Sequence, residues 1–77
     1  LDLHVKNRKN IDHMISTIRQ KLQIANRELL SSEDYPLSKY DQLYEIYELL
    51  NRQESVSTFQ MAAILDELKT LRNASHD

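Results

Sequence analysis

At 77 residues with a formal net charge of −2, 40% hydrophobic and 29% charged, the chain is too apolar and too evenly charged for a disordered tail, and one domain is the most it can form. Cysteine is absent, which excludes a disulfide framework and a thiolate zinc site. Glycine is absent too, so no glycine-rich loop can cradle a phosphate.

The start, Leu1-Asp2-Leu3-His4-Val5-Lys6, has no apolar segment behind a basic one, and the longest apolar run, residues 61–65, is far too short to span a bilayer. A soluble, cytoplasmic protein without membrane contact is the expectation. Residues 1–9 carry Lys6, Arg8 and Lys9 without a sustained stripe and read as frayed helix or tail. From there Ile11, Ile15, Ile18, Leu22, Ala25 and Leu29 recur at alternating steps of four and three, the spacing of a helical seam. This predicts a first helix over about 10–30, with Asn10 as its cap and Asp12 in its first turn.

The stretch LSSEDYP at 30–36 interrupts the pattern, since Pro36 lacks an N–H and pushes Tyr35 out of helical geometry. A second helix over about 39–52 follows, behind Ser38 as a capping residue. A third, over about 58–73, has the clearest start. Ser57 and Gln60 match a capping box, and Val56 can fold onto Met61 as a hydrophobic staple. Its seam is Met61, Ile64, Leu65, Leu68 and Leu71, and residues 74–77 read as a frayed end. The fold class is therefore all-α, a single small three-helix domain over 1–77 with mainly antiparallel packing and short loops.

On helix two, Leu43, Ile46 and Leu50 form the aliphatic centre and Asp41, Glu45 and Glu48 lie on the far side. Tyr40, Tyr44 and Tyr47 occupy the boundary, where a tyrosine can seal a core with its ring and keep its hydroxyl in contact with polar groups. Tyrosine is also enriched where proteins meet. Ile24, Leu49 and Phe59 each fall off the apolar stripe of their own helix, which is hard to reconcile with one small core. Ile24, Tyr40, Tyr44, Tyr47, Leu49 and Phe59 thus make the candidate interaction surface, for a second copy of the chain, as a dimer, or for another protein.

Catalysis has little to stand on. The carboxylates of helix two lack the Glu-x-x-His pairs of bundle metal sites, His4, His13 and His76 are scattered, and Ser31 and Ser32 have neither a glycine elbow nor a nearby base. No enzyme, cofactor, metal or small-molecule substrate is expected. The alternative function is weak nucleic-acid binding through the basic first helix, because residues 1–30 hold six Lys/Arg against three Asp/Glu while 31–54 hold two against six. Those cations are spread round the helix rather than gathered into a phosphate-tracking stripe. A helix-turn-helix reading, with Thr58 and Gln60 opening a recognition helix, meets no basic residue before Lys69 and has Asp66 and Glu67 facing the phosphates. The charge separation suits basic helix one meeting acidic helix two, within or between chains.

The segments IRQKLQIAN at 18–26, SEDY at 32–35, YDQLYEIYELL at 40–50 and STFQMAAILDELKTLR at 57–72 together resemble a family of small bacterial proteins, domain-of-unknown-function family 1128, also called uncharacterised protein family 0435. The resemblance covers about residues 10–72 and implies a small helical fold in a bacterial cytoplasm, with no site residues. Glu28 and Ser32 stand where members often carry Gly and Pro, which would let helix one run a turn further.

Overall fold

A computed structural model describes residues 2–26 and 29–74, for Ala74 the backbone only. Three α-helices, α1 (Arg8–Lys21), α2 (Tyr40–Asn51) and α3 (Thr58–Ala74), are joined by a long connection carrying two 3-10 turns, Ser32–Asp34 and Leu37–Lys39, and by a shorter link at 52–57. Among the described residues there is no strand, and the all-α three-helix expectation holds. The radius of gyration, 11.7 Å, is that of a fully packed chain of this length, about 11.5 Å.

The first helix begins earlier and ends much earlier than its periodicity predicts. Its cap is Asn7, whose side-chain oxygen accepts from the Asn10 N–H at 2.8 Å. Asn10, two percent exposed, lies inside the helix and works in the opposite direction. Its amide nitrogen donates to the carbonyls of Asp2 (2.7 Å) and Val5 (2.6 Å), while the Asp2 carboxylate accepts from the His4 N–H at 3.0 Å. Residues 2–6 are thus folded back as a turn, with Leu3 against the core, and are neither frayed helix nor tail.

At the other end, Gln23 adopts φ 58°, the left-handed region that glycine usually supplies. The Gln23 N–H bonds the Gln20 carbonyl at 3.1 Å and the Ile24 N–H bonds the Arg19 carbonyl at 3.0 Å, the paired bonds of a Schellman motif. With no glycine in the chain, a long side chain occupies this position. The consequence is that Ala25 and Leu29, which continue the helical spacing, lie beyond the helix and are exposed. Arg27 and Glu28 lie outside the described residues, as do residues 75–77.

The connection that follows is folded into the body of the domain. Leu30 and Tyr35 are fully buried. The Tyr35 hydroxyl donates to the Leu68 carbonyl of α3 at 2.9 Å. Arg19 reaches the Leu30 carbonyl at 2.8 Å, and Arg8 reaches the Ser32 carbonyl at 2.6 Å and the Tyr35 carbonyl. Lys21 similarly donates to the Gln53 carbonyl in the second link at 3.2 Å. Basic side chains of α1 therefore supply donors to backbone that no helix satisfies.

Helices α1 and α2 make the principal interface. Ile11, Met14, Ile15 and Ile18 face Tyr40, Leu43, Ile46, Tyr47 and Leu50. Ser38 does not cap α2, which starts instead from the preceding 3-10 turn through Lys39 with no side-chain cap. The third start is as the sequence predicts in its first half: the Ser57 hydroxyl oxygen accepts from the Gln60 N–H at 3.1 Å, and Val56 and Met61 both pack on the core's edge. Helix α3 commits less of itself, with Ile64 and Leu68 buried and Met61, Leu65 and Leu71 half-buried.

Two predictions concern these supports. Gln23→Gly removes the left-handed cost of a side chain and raises the urea midpoint, by about 0.5–1 kcal/mol of stability; an unchanged or lowered midpoint contradicts the strain argument. Tyr35 is buried, and burial pushes its hydroxyl up to about 12, with the Arg72 guanidinium opposing and Asp34 adding to the rise. The unfolded chain releases this proton near pH 10 and the folded chain only near pH 12. The stabilisation is therefore complete below pH 10 and falls away, by about 2–3 kcal/mol, as pH rises through that window. Tyr35→Phe loses about 1 kcal/mol at neutral pH and shows a shallower alkaline decline than the wild type. Parallel alkaline curves for the two proteins contradict the assignment.

Candidate functional site

The structure sorts the sequence-derived surface residues into three groups. Tyr40 and Tyr47, at 2% and 9% exposure, belong to the core, because α2 rotates its 40–43–47–50 stripe fully onto α1. The Tyr40 hydroxyl is used inside the domain, donating to the Leu3 carbonyl at 2.5 Å. These two tyrosines present no free face. Ile24 is half-buried against the cluster that contains Ile18. It falls off the helix-one stripe because it is not helical: the Schellman turn at Gln23 carries it back onto the core. Leu49 and Phe59 remain outside, at 46% and 86% exposure.

Tyr44 is the intermediate case. Half-buried, it lies in a row of rings that runs across the domain: His4 to Tyr44 at 6.3 Å between centroids, Tyr44 to Tyr47 at 6.3 Å, and Tyr47 to His13 at 5.8 Å. The rings are mutually tilted by 36–57°, a geometry that favours aromatic contact over face-to-face stacking. The row ties the N-terminal turn, α2 and α1 together. The two histidines at its ends were read from the sequence as scattered, since their closeness to tyrosine depends on the fold of residues 2–6 and the α1–α2 crossing.

The outward face of α2 carries the local charge. Tyr44, Glu45, Glu48, Leu49 and Arg52 bound a shallow depression of about 440 Å³. Asp41 continues the acidic stripe towards the N-terminal end and pairs with Lys6 at 3.1 Å, while Glu48 pairs with Arg52 at 3.8 Å. Lys6, Asp41 and Arg52 are exposed and Glu48 is half-buried, so both pairs are screened by solvent and weak. Hydrogen bonding to the Glu48 carboxylate, then desolvation, then the Glu48 charge hold the Tyr44 hydroxyl above the usual tyrosine range. Glu45 makes no ion pair among the described residues. Among the described ion pairs this acidic face is met by Lys6 of the N-terminal turn and not by helix one, whose Arg8, Arg19 and Lys21 point to backbone carbonyls.

Among the described residues, no three His, Asp or Glu side chains gather where they could hold a metal ion, and no helix is long and apolar enough to cross a membrane. A second hollow of about 220 Å³ lies between the N-terminal turn and α2, lined by Leu3, His4, Lys6, Tyr40, Asp41 and Tyr44. Lys6 and Asp41 in its lining pair with each other at 3.1 Å, so its charges satisfy each other.

Comparison with known proteins agrees with the arrangement of these segments along the chain. A UPF0435 protein of Geobacillus thermodenitrificans (strain NG80-2) is 35% identical over 72 residues, 94% of this chain and 97% of the relative. One from Bacillus cytotoxicus is 34% identical over 71 residues, 92% and 96% of the two chains. A third, from Halalkalibacterium halodurans, is 33% identical over 72 residues, 94% and 99%. No solved structure matches. The family described as protein of unknown function (DUF1128) matches residues 3–73, from the N-terminal turn to the last turn of α3, and the chain belongs to that family.

Proposed function

We propose that this protein is an interaction module, acting by self-association or by docking to another protein through apolar side chains that its own core leaves outside. The observation that carries the reading is Phe59, the largest exposed apolar side chain among the described residues, at 86% exposure in the first turn of α3. An aromatic ring in that position adds nothing to the fold it sits on, and aromatic anchors are the residues that most often dominate a protein interface. Leu49, near the end of α2, lies on the other side of the 52–57 link from Phe59.

Weak nucleic-acid binding has less to draw on. Lys6, Arg8, Arg19 and Lys21 are each engaged within the domain, and phosphate tracking would require them to exchange partners.

The test is molar mass by light scattering behind a sizing column, over a wide dilution series, on the wild type and Phe59→Ser. The wild type is expected to rise above the 9.1 kDa monomer as concentration increases and the variant to remain at it. Because Phe59 is exposed, its urea midpoint moves little, within about 0.5 kcal/mol. A wild type that is monomeric throughout removes self-association and leaves docking to a different protein, while a variant that unfolds would show that Phe59 serves the core.

A further inference from the structure

We infer that the outward face of α2 docks a basic amphipathic segment of a different protein, one apolar side chain of that segment settling on Leu49 beside Glu45 and Glu48. The inference rests on the interaction reading above and names the partner's chemistry. Leu49 is 46% exposed in the depression bounded by Tyr44, Glu45, Glu48 and Arg52. An apolar anchor there excludes water from the contact, and the carboxylates of Glu45 and Glu48 beside it select cations next to that anchor.

Three features favour such an occupant. The acidic stripe Asp41, Glu45, Glu48 follows helical spacing along α2, so a partner helix laid across it meets more than one carboxylate. The counter-charges in place, the exposed Lys6 on Asp41 and the exposed Arg52 on the half-buried Glu48, are solvent-screened and an incoming lysine or arginine can displace them at little cost. The half-buried Tyr44 ring stands at the edge of the depression, where its face can receive a cation.

A second copy of the chain fits this face poorly. Of the four basic side chains on its α1, Arg8, Arg19 and Lys21 are committed to the carbonyls of Leu30, Ser32, Tyr35 and Gln53, so releasing them would unfasten its own connections, and Lys9 by itself is too few cations for a stripe of three carboxylates. Nucleic acid and anionic lipid are repelled by the same carboxylates.

The experiment is a fluorescence-anisotropy titration of the full chain with a labelled helical peptide that bears one leucine flanked by lysines at helical spacing. Saturable, salt-sensitive binding is expected. Glu45→Lys/Glu48→Lys should weaken it at least tenfold, Glu45→Gln/Glu48→Gln should weaken it less, and Leu49→Ser should weaken it severalfold, all with unchanged circular dichroism. A peptide of identical composition with its leucine moved off the lysine face is expected to bind far less tightly. Equal binding of the rearranged peptide, or of the wild type and Leu49→Ser, reduces the effect to diffuse charge attraction and overturns the inference. So does a fall in molar mass of the wild-type assembly on Glu45→Lys/Glu48→Lys, which would make the face a contact between copies. Absence of peptide binding with a Phe59-dependent assembly intact sinks this inference alone; absence of both sinks the interaction reading with it.

Discussion

The hydrogen bond from the Tyr35 hydroxyl to the Leu68 carbonyl joins the parts of this domain that have least else to hold them. Among the described residues, helix α3 buries Ile64 and Leu68 alone, and the α1–α2 connection contains no α-helix. A carbonyl oxygen has two lone pairs, so Leu68 can serve its own helix and still accept from Tyr35. The phenol fills the gap between the connection and α3, and its oxygen fixes their register. Pro36, immediately after it, enforces the extended backbone that lets the ring turn inward.

The same economy explains the charges. A domain this small leaves a large share of its backbone in links, and each buried carbonyl there requires a donor. Arg8, Arg19 and Lys21 supply donors from one helix to both links, which is why they point in different directions from α1 and form no stripe. Their positive charge is spent on backbone dipoles, and the carboxylates of α2 are left facing solvent with weak partners. The acidic surface is thus a by-product of how the connections are fastened, and Leu49 stands exposed beside it.

Of the candidate surface, Leu49 and Phe59 were legible because a helix that is present where periodicity places it also exposes what lies off its stripe. For Tyr40 and Tyr47 the sequence offered two readings, a ring that seals the core and a surface contact, and their burial bears out the first. At the boundary of a stripe, a rotation of α2 by a fraction of a turn decides between core and surface, and no spacing in the sequence sets that rotation. Ile24 was misplaced for a different reason: the seam from Ile11 to Leu29 keeps helical spacing through a point at which the chain stops being helical. Gln23 in a left-handed conformation carries none of the signal that glycine would. Met14, Leu30 and Tyr35, all fully buried, were passed over because each lies beside or beyond a seam.

By itself the sequence determined the number of helices, their order, the start of α3 and the aliphatic centre of α2, since these depend on local spacing and capping that a segment carries wherever it packs. It also carried the resemblance to DUF1128, which the family match over residues 3–73 bears out. Only the tertiary structure decided where α1 stops, that residues 2–6 fold back onto Asn10, and that the connection enters the core. The first is set at Gln23, whose left-handed backbone its residue type does not announce, and the other two by groups in different segments, Asn10 with Asp2, Arg19 with Leu30, Tyr35 with Leu68. Such partners become neighbours only once the helices have packed.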